Sequence, residues 1–170
     1  MAEIQRYDVV EDLKGFQLRR YESHNLVTKP MPGSMSFSGN QAFGYLVNYI
    51  SGQNESGTKI AMTAPVLQQK TKDGFEVSFV MPHDLKNPPN PMGNLKVVAV
   101  EGKLMAALKF SGSASGDLFE KKGKSLLESV QQAGYKPISE VLYARYNAPW
   151  TPPLLRRNEV LVEVEPIKAS

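Results

Sequence analysis

The sequence predicts an α+β fold built from two ββαββ-like halves, and three observations carry that reading. Ala42, Phe43, Leu46, Val47 and Ile50 repeat apolar residues at helical spacing over about 38–51. Lys72-Asp73-Gly74 joins two alternating runs, 66–71 and 75–81, and Asp-Gly is a strong hairpin signal. After a proline-rich joint the same order returns, with a second apolar stripe at Leu118, Phe119, Leu126, Leu127 and Val130. Roughly eight strands of this kind imply one curved sheet or open barrel, with both helices outside it or across a mouth.

In chain order, 7–11 and 16–21 form strands joined by Asp12-Leu13-Lys14-Gly15. In an extended chain Phe16, Leu18 and Arg20 share one face, and Gln17, Arg19 and Tyr21 share the other. That places Arg20 on an apolar face. Residues 25–29 add a strand stopped by Pro30 and Pro32. Ser38-Gly39-Asn40-Gln41 has the spacing of a capping box, and Gly52 is a natural helix stop. Next comes Lys59-Ile60-Ala61-Met62-Thr63-Ala64-Pro65-Val66, where Pro65 interrupts a strand pattern. This stretch is either a connector or the floor of a site.

The joint at 83–94 holds Pro88, Pro89 and Pro91. Beyond it, 95–101 and 104–110 form a hairpin around Gly102-Lys103. Asp117-Leu118-Phe119-Glu120 opens the second helix as a capping-box candidate, and Gly134 ends it. Gly123 inside that helix costs up to about 1 kcal/mol relative to alanine, and it allows close packing. Strands at 141–146 and 158–166 complete the half. Val160, Val162 and Val164 form the inner face, and Glu159, Glu163 and Glu165 a solvated one. The expected organisation is one domain over 1–170, with pseudo-repeats at about 7–82 and 95–165. Residue identities hardly match between them, so the repeat rests on order alone.

Composition excludes several chemistries. The 170 residues are 41% hydrophobic and 22% charged, which suits an ordinary globular core. With no cysteine there is no disulfide, thiolate ligand or cysteine nucleophile. No apolar run reaches about 18 residues, so neither a spanning helix nor a membrane partner is expected. The charged start, Met1-Ala2-Glu3-Ile4-Gln5-Arg6, lacks the apolar stretch of an export signal, and a cytoplasmic location is expected. The net charge of +3 is mild and its basic residues are scattered, so no nucleic-acid partner is expected. His24 and His83, the only two histidines, lack helical metal-ligand spacing. Neither a G-x-S-x-G turn nor a phosphate loop is present. What remains is an apolar surface on the first helix, which is either simply core or the wall of a small-ligand groove.

The Lys59–Val66 stretch strongly resembles the signature segment of the SOUL haem-binding protein family. Tyr146-Asn147-Ala148-Pro149-Trp150, followed by Arg156-Arg157-Asn158-Glu159-Val160, is similar to that family's closing motif. Residues 45–54 and 79–82 match in kind and order, and the likeness runs from about 7 to 164. The resemblance implies a distorted antiparallel β-barrel flanked by two α-helices. It also implies that haem, or another porphyrin, lies in a shallow apolar groove against the first helix. Family pocket positions fall on Phe43, Val47 and Phe75; Leu46 and Ile50 extend the same helix face. The axial histidine of some members falls at Arg20, and an arginine stays protonated and is a very poor iron ligand. His24 and Met62 are weak alternative metal ligands. The family's propionate-pairing lysines fall at Asn48 and near Pro152, so Arg20, Lys59 and Arg156 are the candidate replacements. The expected function is a cytoplasmic tetrapyrrole carrier or buffer. One alternative is an enzyme that degrades haem or removes its metal, for which no evident proton shuttle is present. Another is an effector-binding or interaction module for amphipathic small molecules.

Overall fold

A computed structural model describes residues 2–113, 115–148 and 150–168. In chain order the elements are β1 (Glu3–Ile4), β2 (Tyr7–Leu13), β3 (Phe16–Tyr21), β4 (His24–Pro32), α1 (Met35–Ile50), β5 (Thr63–Ala64), β6 (Val66–Lys70) and β7 (Gly74–Val80). They continue with β8 (Lys96–Val100), β9 (Lys103–Phe110), α2 (Gly116–Gln132), β10 (Tyr135–Pro137), β11 (Leu142–Arg145), a 3-10 turn (Pro153–Leu155) and β12 (Asn158–Pro166). The fold is α+β, with antiparallel sheet and two helices.

The elements sort into two compact units that interleave along the chain: Met1–Arg6 with Ser23–Glu101, and Tyr7–Glu22 with Gly102–Ser170. These are not the boundaries of the sequence halves at 7–82 and 95–165. The N-terminal hairpin β2–β3 belongs with the second unit, because β3 pairs with β9.

In the first unit the strand order is β6-β7-β4-β8, all antiparallel. The β6–β7 hairpin forms as the Asp73-Gly74 signal predicts. A Cβ at Gly74 would fall 2.2 Å from the Met31 carbonyl oxygen and 2.6 Å from Pro32 Cα, so glycine alone fits this close approach. β4 runs through Pro30 and Pro32 instead of stopping at them. β8 covers only its first part, as far as Thr28 opposite Lys96. Beyond that point β4 has a partner on one side, and proline is tolerated on such an edge. The short β1 pairs in parallel with β5, Glu3 opposite Thr63.

α1 packs on β4 and β7 through Met35, Ser38, Gly39, Ala42, Leu46, Tyr49 and Ile50. It begins a turn earlier than the capping-box spacing suggests. Ser34 is the N-cap and accepts from the Phe37 N–H. Ser38 lies inside the helix, where its hydroxyl donates to the Met35 carbonyl and accepts from the Gln68 amide. Gln68 also donates to Met35, so these buried polar groups satisfy one another.

In the second unit the order is β2-β3-β9-β12-β11, with β10 also on β12. α2 packs on β9, β10 and β12. Its cap is Ser115, which accepts from the Leu118 N–H; the Asp117 box is not the start. Gly123 is buried, and a Cβ there would sit 3.4 Å from Val141, the close packing expected of it. Phe119 anchors the interior, edge-on to Phe110 and tilted against Tyr143.

The expected barrel is not formed. β2 and β8 end the strand order, so the sheet is open. The predicted hairpin between 95–101 and 104–110 is also absent. β8 pairs with β4, whereas β9 pairs with β3 and β12, and the chain passes between units at Glu101 and Gly102. β2 has the chemistry of an edge: a register break between Val9 and Glu11, and exposed Asp8, Glu11 and Asp12.

Candidate functional site

In the first unit, α1 carries a second stripe beside its buried one. Asn40, Phe43, Gly44 and Val47 follow the i, i+3, i+4, i+7 spacing of one helix face. Asn40, Phe43 and Gly44 are exposed, and Val47 is half-buried. Phe43 is 41% exposed, although its ring packs edge-on against Phe79 of β7 at 5.4 Å between centroids. A Cβ at Gly44 would meet nothing within 4 Å. The result is an apolar shelf: one aromatic ring fixed from beneath, one valine, and a stretch of bare helix backbone between them. A flat apolar body can lie against such a surface.

The polar rim of the shelf is modest. Lys59 is exposed, and its stem approaches Gly52, just past the C-terminus of α1. The Ile60 N–H donates to the Ile50 carbonyl, so the start of the Lys59–Val66 stretch is fixed to the helix end. Its far part is fixed to β7, because the Thr63 hydroxyl donates to the Val80 carbonyl. The stretch therefore connects α1 to the Phe75 hairpin at a set spacing.

Phe43 and Val47 line the shelf. Phe75 shares the β7 face of Val77 and Phe79 and is buried. Leu46 and Ile50 lie on the buried stripe of α1 and serve as core. Met62 is half-buried, and half-buried His24 opens β4 opposite Val100. Arg20 and Arg156 belong to the second unit. Arg20 is exposed near the end of β3, and Arg156 donates from Nε to the Thr151 carbonyl at 2.8 Å. Among the described residues no three His, Asp or Glu side chains are grouped to hold a metal ion.

Sequence reasoning missed a polar cluster in the second unit. Arg19, not Arg20, is the buried arginine of β3, at 2% exposure. It grips Glu159 by two bonds, 2.7 Å and 3.0 Å. Glu159 is fully buried, contrary to the solvated face expected for it. Its remaining acceptor capacity is filled by Arg157 Nε at 3.0 Å and the Tyr146 hydroxyl at 3.0 Å. Arg157 also donates to the Tyr7 hydroxyl. The Arg19 guanidinium lies over the Tyr7 ring, and that of Arg157 lies over Tyr146. Burial works to raise the Glu159 carboxyl, but the two arginines outweigh it and hold the group below its ordinary range. Burial and the Glu159 charge push the Tyr146 hydroxyl well up. Each Glu159 carboxylate oxygen accepts two bonds, so the cluster is a braced structural core and not a poised base. One signal was available: Glu159 shares its strand face with Leu161, which is buried.

The fold has relatives among solved structures. The C-terminal domain of EcmrR superposes with a TM-score of 0.67 at 13% identity, covering 94% of this chain and 98% of that one. A hydrolase from Listeria innocua superposes at 0.57 and 10% identity, covering 87% and 91%. An uncharacterized conserved protein from Listeria innocua gives 0.58 and 13%, covering 87% and 92%. At such low identities these similarities define a shared α+β fold and nothing more. No curated protein matches the chain. The model of the SOUL heme-binding protein family matches residues 2–163, and the chain belongs to that family, a family of haem binders.

Proposed function

We propose that the chain binds a tetrapyrrole on the α1 shelf and acts as a carrier or buffer. The observation that carries this reading is the Phe43–Gly44–Val47 surface, with Phe43 and Gly44 exposed and Val47 half-buried: it is apolar, supported from beneath by Phe79, and left open at Gly44. A porphyrin face needs such a surface, and Lys59 at the helix end can meet a propionate. Haem, when bound, would supply its own iron chemistry; the protein's part is to shield one face and orient the carboxylates. Covering about 300 Å² of apolar surface at about 25 cal/mol/Å² gives roughly 7 kcal/mol before ordering costs. That corresponds to a Kd of about 10 μM at best.

The test is a haemin titration followed at the Soret band, with folding checked by circular dichroism. Val47→Asp and Gly44→Trp should each weaken binding at least about tenfold, since one charges the shelf and the other fills it. Lys59→Ala should weaken it only about two- to fivefold, as befits a rim charge. Unchanged titrations in both shelf variants would move the ligand elsewhere.

A further inference from the structure

The second unit carries a feature unrelated to the shelf. Among the described residues, the three most exposed large apolar side chains are Leu154 at 86%, Trp150 at 85% and Leu155 at 72%. They fall within six consecutive positions. Pro152 and Pro153 beside them are also exposed. The group is not a loose end. The Arg156 guanidinium donates to the Thr151 carbonyl, and the Leu155 and Arg156 N–H groups close the turn onto Pro152 and Pro153. The Gly112 N–H donates to the Pro153 carbonyl at 2.9 Å, and Asn158 donates to the Gly112 carbonyl at 3.2 Å. The Arg157 N–H is held by the Asn147 side chain. A braced turn thus holds one tryptophan and two leucines out in water.

The segments that form and brace the turn carry basic residues only. Residues 141–158 contain Arg145, Arg156 and Arg157 and no Asp or Glu. Residues 109–116, tied to the same turn through Gly112, contain Lys109 and no Asp or Glu. Next in the chain, Arg157 shares the single carboxylate of Glu159 with Arg19, so that carboxylate does not offset the other basic residues.

We propose that this tip docks on an anionic lipid surface, with Leu154 and Leu155 entering the acyl boundary and Trp150 at the headgroup level. An exposed apolar tip suits a fluid surface, tryptophan favours the membrane–water interface, and exposed Lys109, on the strand that leads to Gly112, adds a positive charge that an anionic surface attracts. No helix among the described residues is long and apolar enough to span a membrane, and surface docking needs none. The apolar group is six residues long, far below what a search for spanning runs detects.

Trp150 is the only tryptophan, so fluorescence excited at the red edge, where the seven tyrosines do not absorb, reports this tip alone. The full chain is titrated with vesicles of phosphatidylcholine, with and without phosphatidylglycerol, and partition is measured in parallel by sedimentation. Phosphatidylglycerol vesicles should shift Trp150 emission to shorter wavelength and pull the protein down, and neutral vesicles should do so far less. Raising salt from 0.1 to 0.5 M should reverse most of the binding, at roughly these concentrations. Leu154→Ser with Leu155→Ser should lower the partition coefficient about tenfold or more without changing the urea midpoint, because both side chains are exposed. Three results would each overturn the proposal: no sedimentation with phosphatidylglycerol vesicles, undiminished binding by the double variant, or a blue shift that grows with protein concentration in the absence of lipid. The last would assign the tip to a second copy of the chain.

Discussion

Glu159 sits between two guanidinium groups, and the three charges are not equivalent. Arg19 is as buried as the carboxylate, whereas Arg157 keeps about a quarter of its side chain in water. Arg19→Ala leaves an underpaired buried charge and is expected to cost about 3–5 kcal/mol in urea unfolding. Replacing the pair together, Arg19→Met with Glu159→Leu, should restore most of that loss, because Arg157 can turn to solvent. The pH dependence has a definite sign. The folded carboxyl is held below its ordinary value, so its stabilisation is present above the unfolded pKa and is lost as pH falls through the folded one. The wild-type urea midpoint should therefore drop as pH falls below the ordinary carboxylate range, while Glu159→Gln should be flatter there. Parallel curves would show that Glu159 is not the titrating group. The pair lies 140 residues apart in sequence, so no local pattern announces it. Alternation from Phe16 singled out Arg20 because it assumed one buried face. β3 lies between β2 and β9, and both its faces are covered at Leu18 and Arg19.

At the scale of the element, α1 and the β6–β7 hairpin place glycine for opposite reasons. Gly44 is in mid-helix with open space where a Cβ would go, so Gly44→Ala should stabilise the protein by up to about 1 kcal/mol. Gly74 has backbone atoms in that space, so Gly74→Ala should destabilise by about 1–3 kcal/mol or more. Chemical denaturation of the two variants side by side checks both signs. Gly44→Ala falling below wild type would mean that the helix surface is covered by something else. Such elements were legible in sequence because their signals are local: the apolar stripe of α1, the Asp-Gly turn, and glycines at helix ends. Helix starts were less legible, since Ser34 and Ser38 stand one turn apart and both can cap. The shelf was half-legible. Phe43 and Val47 were found, but Leu46 and Ile50 lie on the adjoining stripe, and a wheel of apolar positions does not tell a face that meets β7 from a flank that meets solvent.

At the scale of the whole molecule, strand order along the chain suggested two consecutive halves, because order counts strands and not partners. The units instead exchange segments: β2 and β3 come from the N-terminal stretch and complete the sheet of the C-terminal one. This has a consequence for any dissection. A fragment of 102–170 keeps α2, β9, β11 and β12, but the β9 edge that pairs with β3 loses its partner. Phe16, Leu18 and Tyr21, each nearly fully buried, are lost with it, and Glu159 loses its strongest ion pair. Full burial of Phe16 and Leu18 contributes about 1.5–3 kcal/mol each, a large share of the 5–15 kcal/mol that stabilises a typical domain. The fragment alone should therefore show no cooperative urea transition. Adding a peptide of residues 7–22 in excess should restore one, with a midpoint that rises with peptide concentration, as for any ligand that binds only the folded state. A fragment that unfolds cooperatively without the peptide would show that β9, β11, β12 and α2 form a sufficient core, and that the β2–β3 hairpin adds to this unit without being required for it.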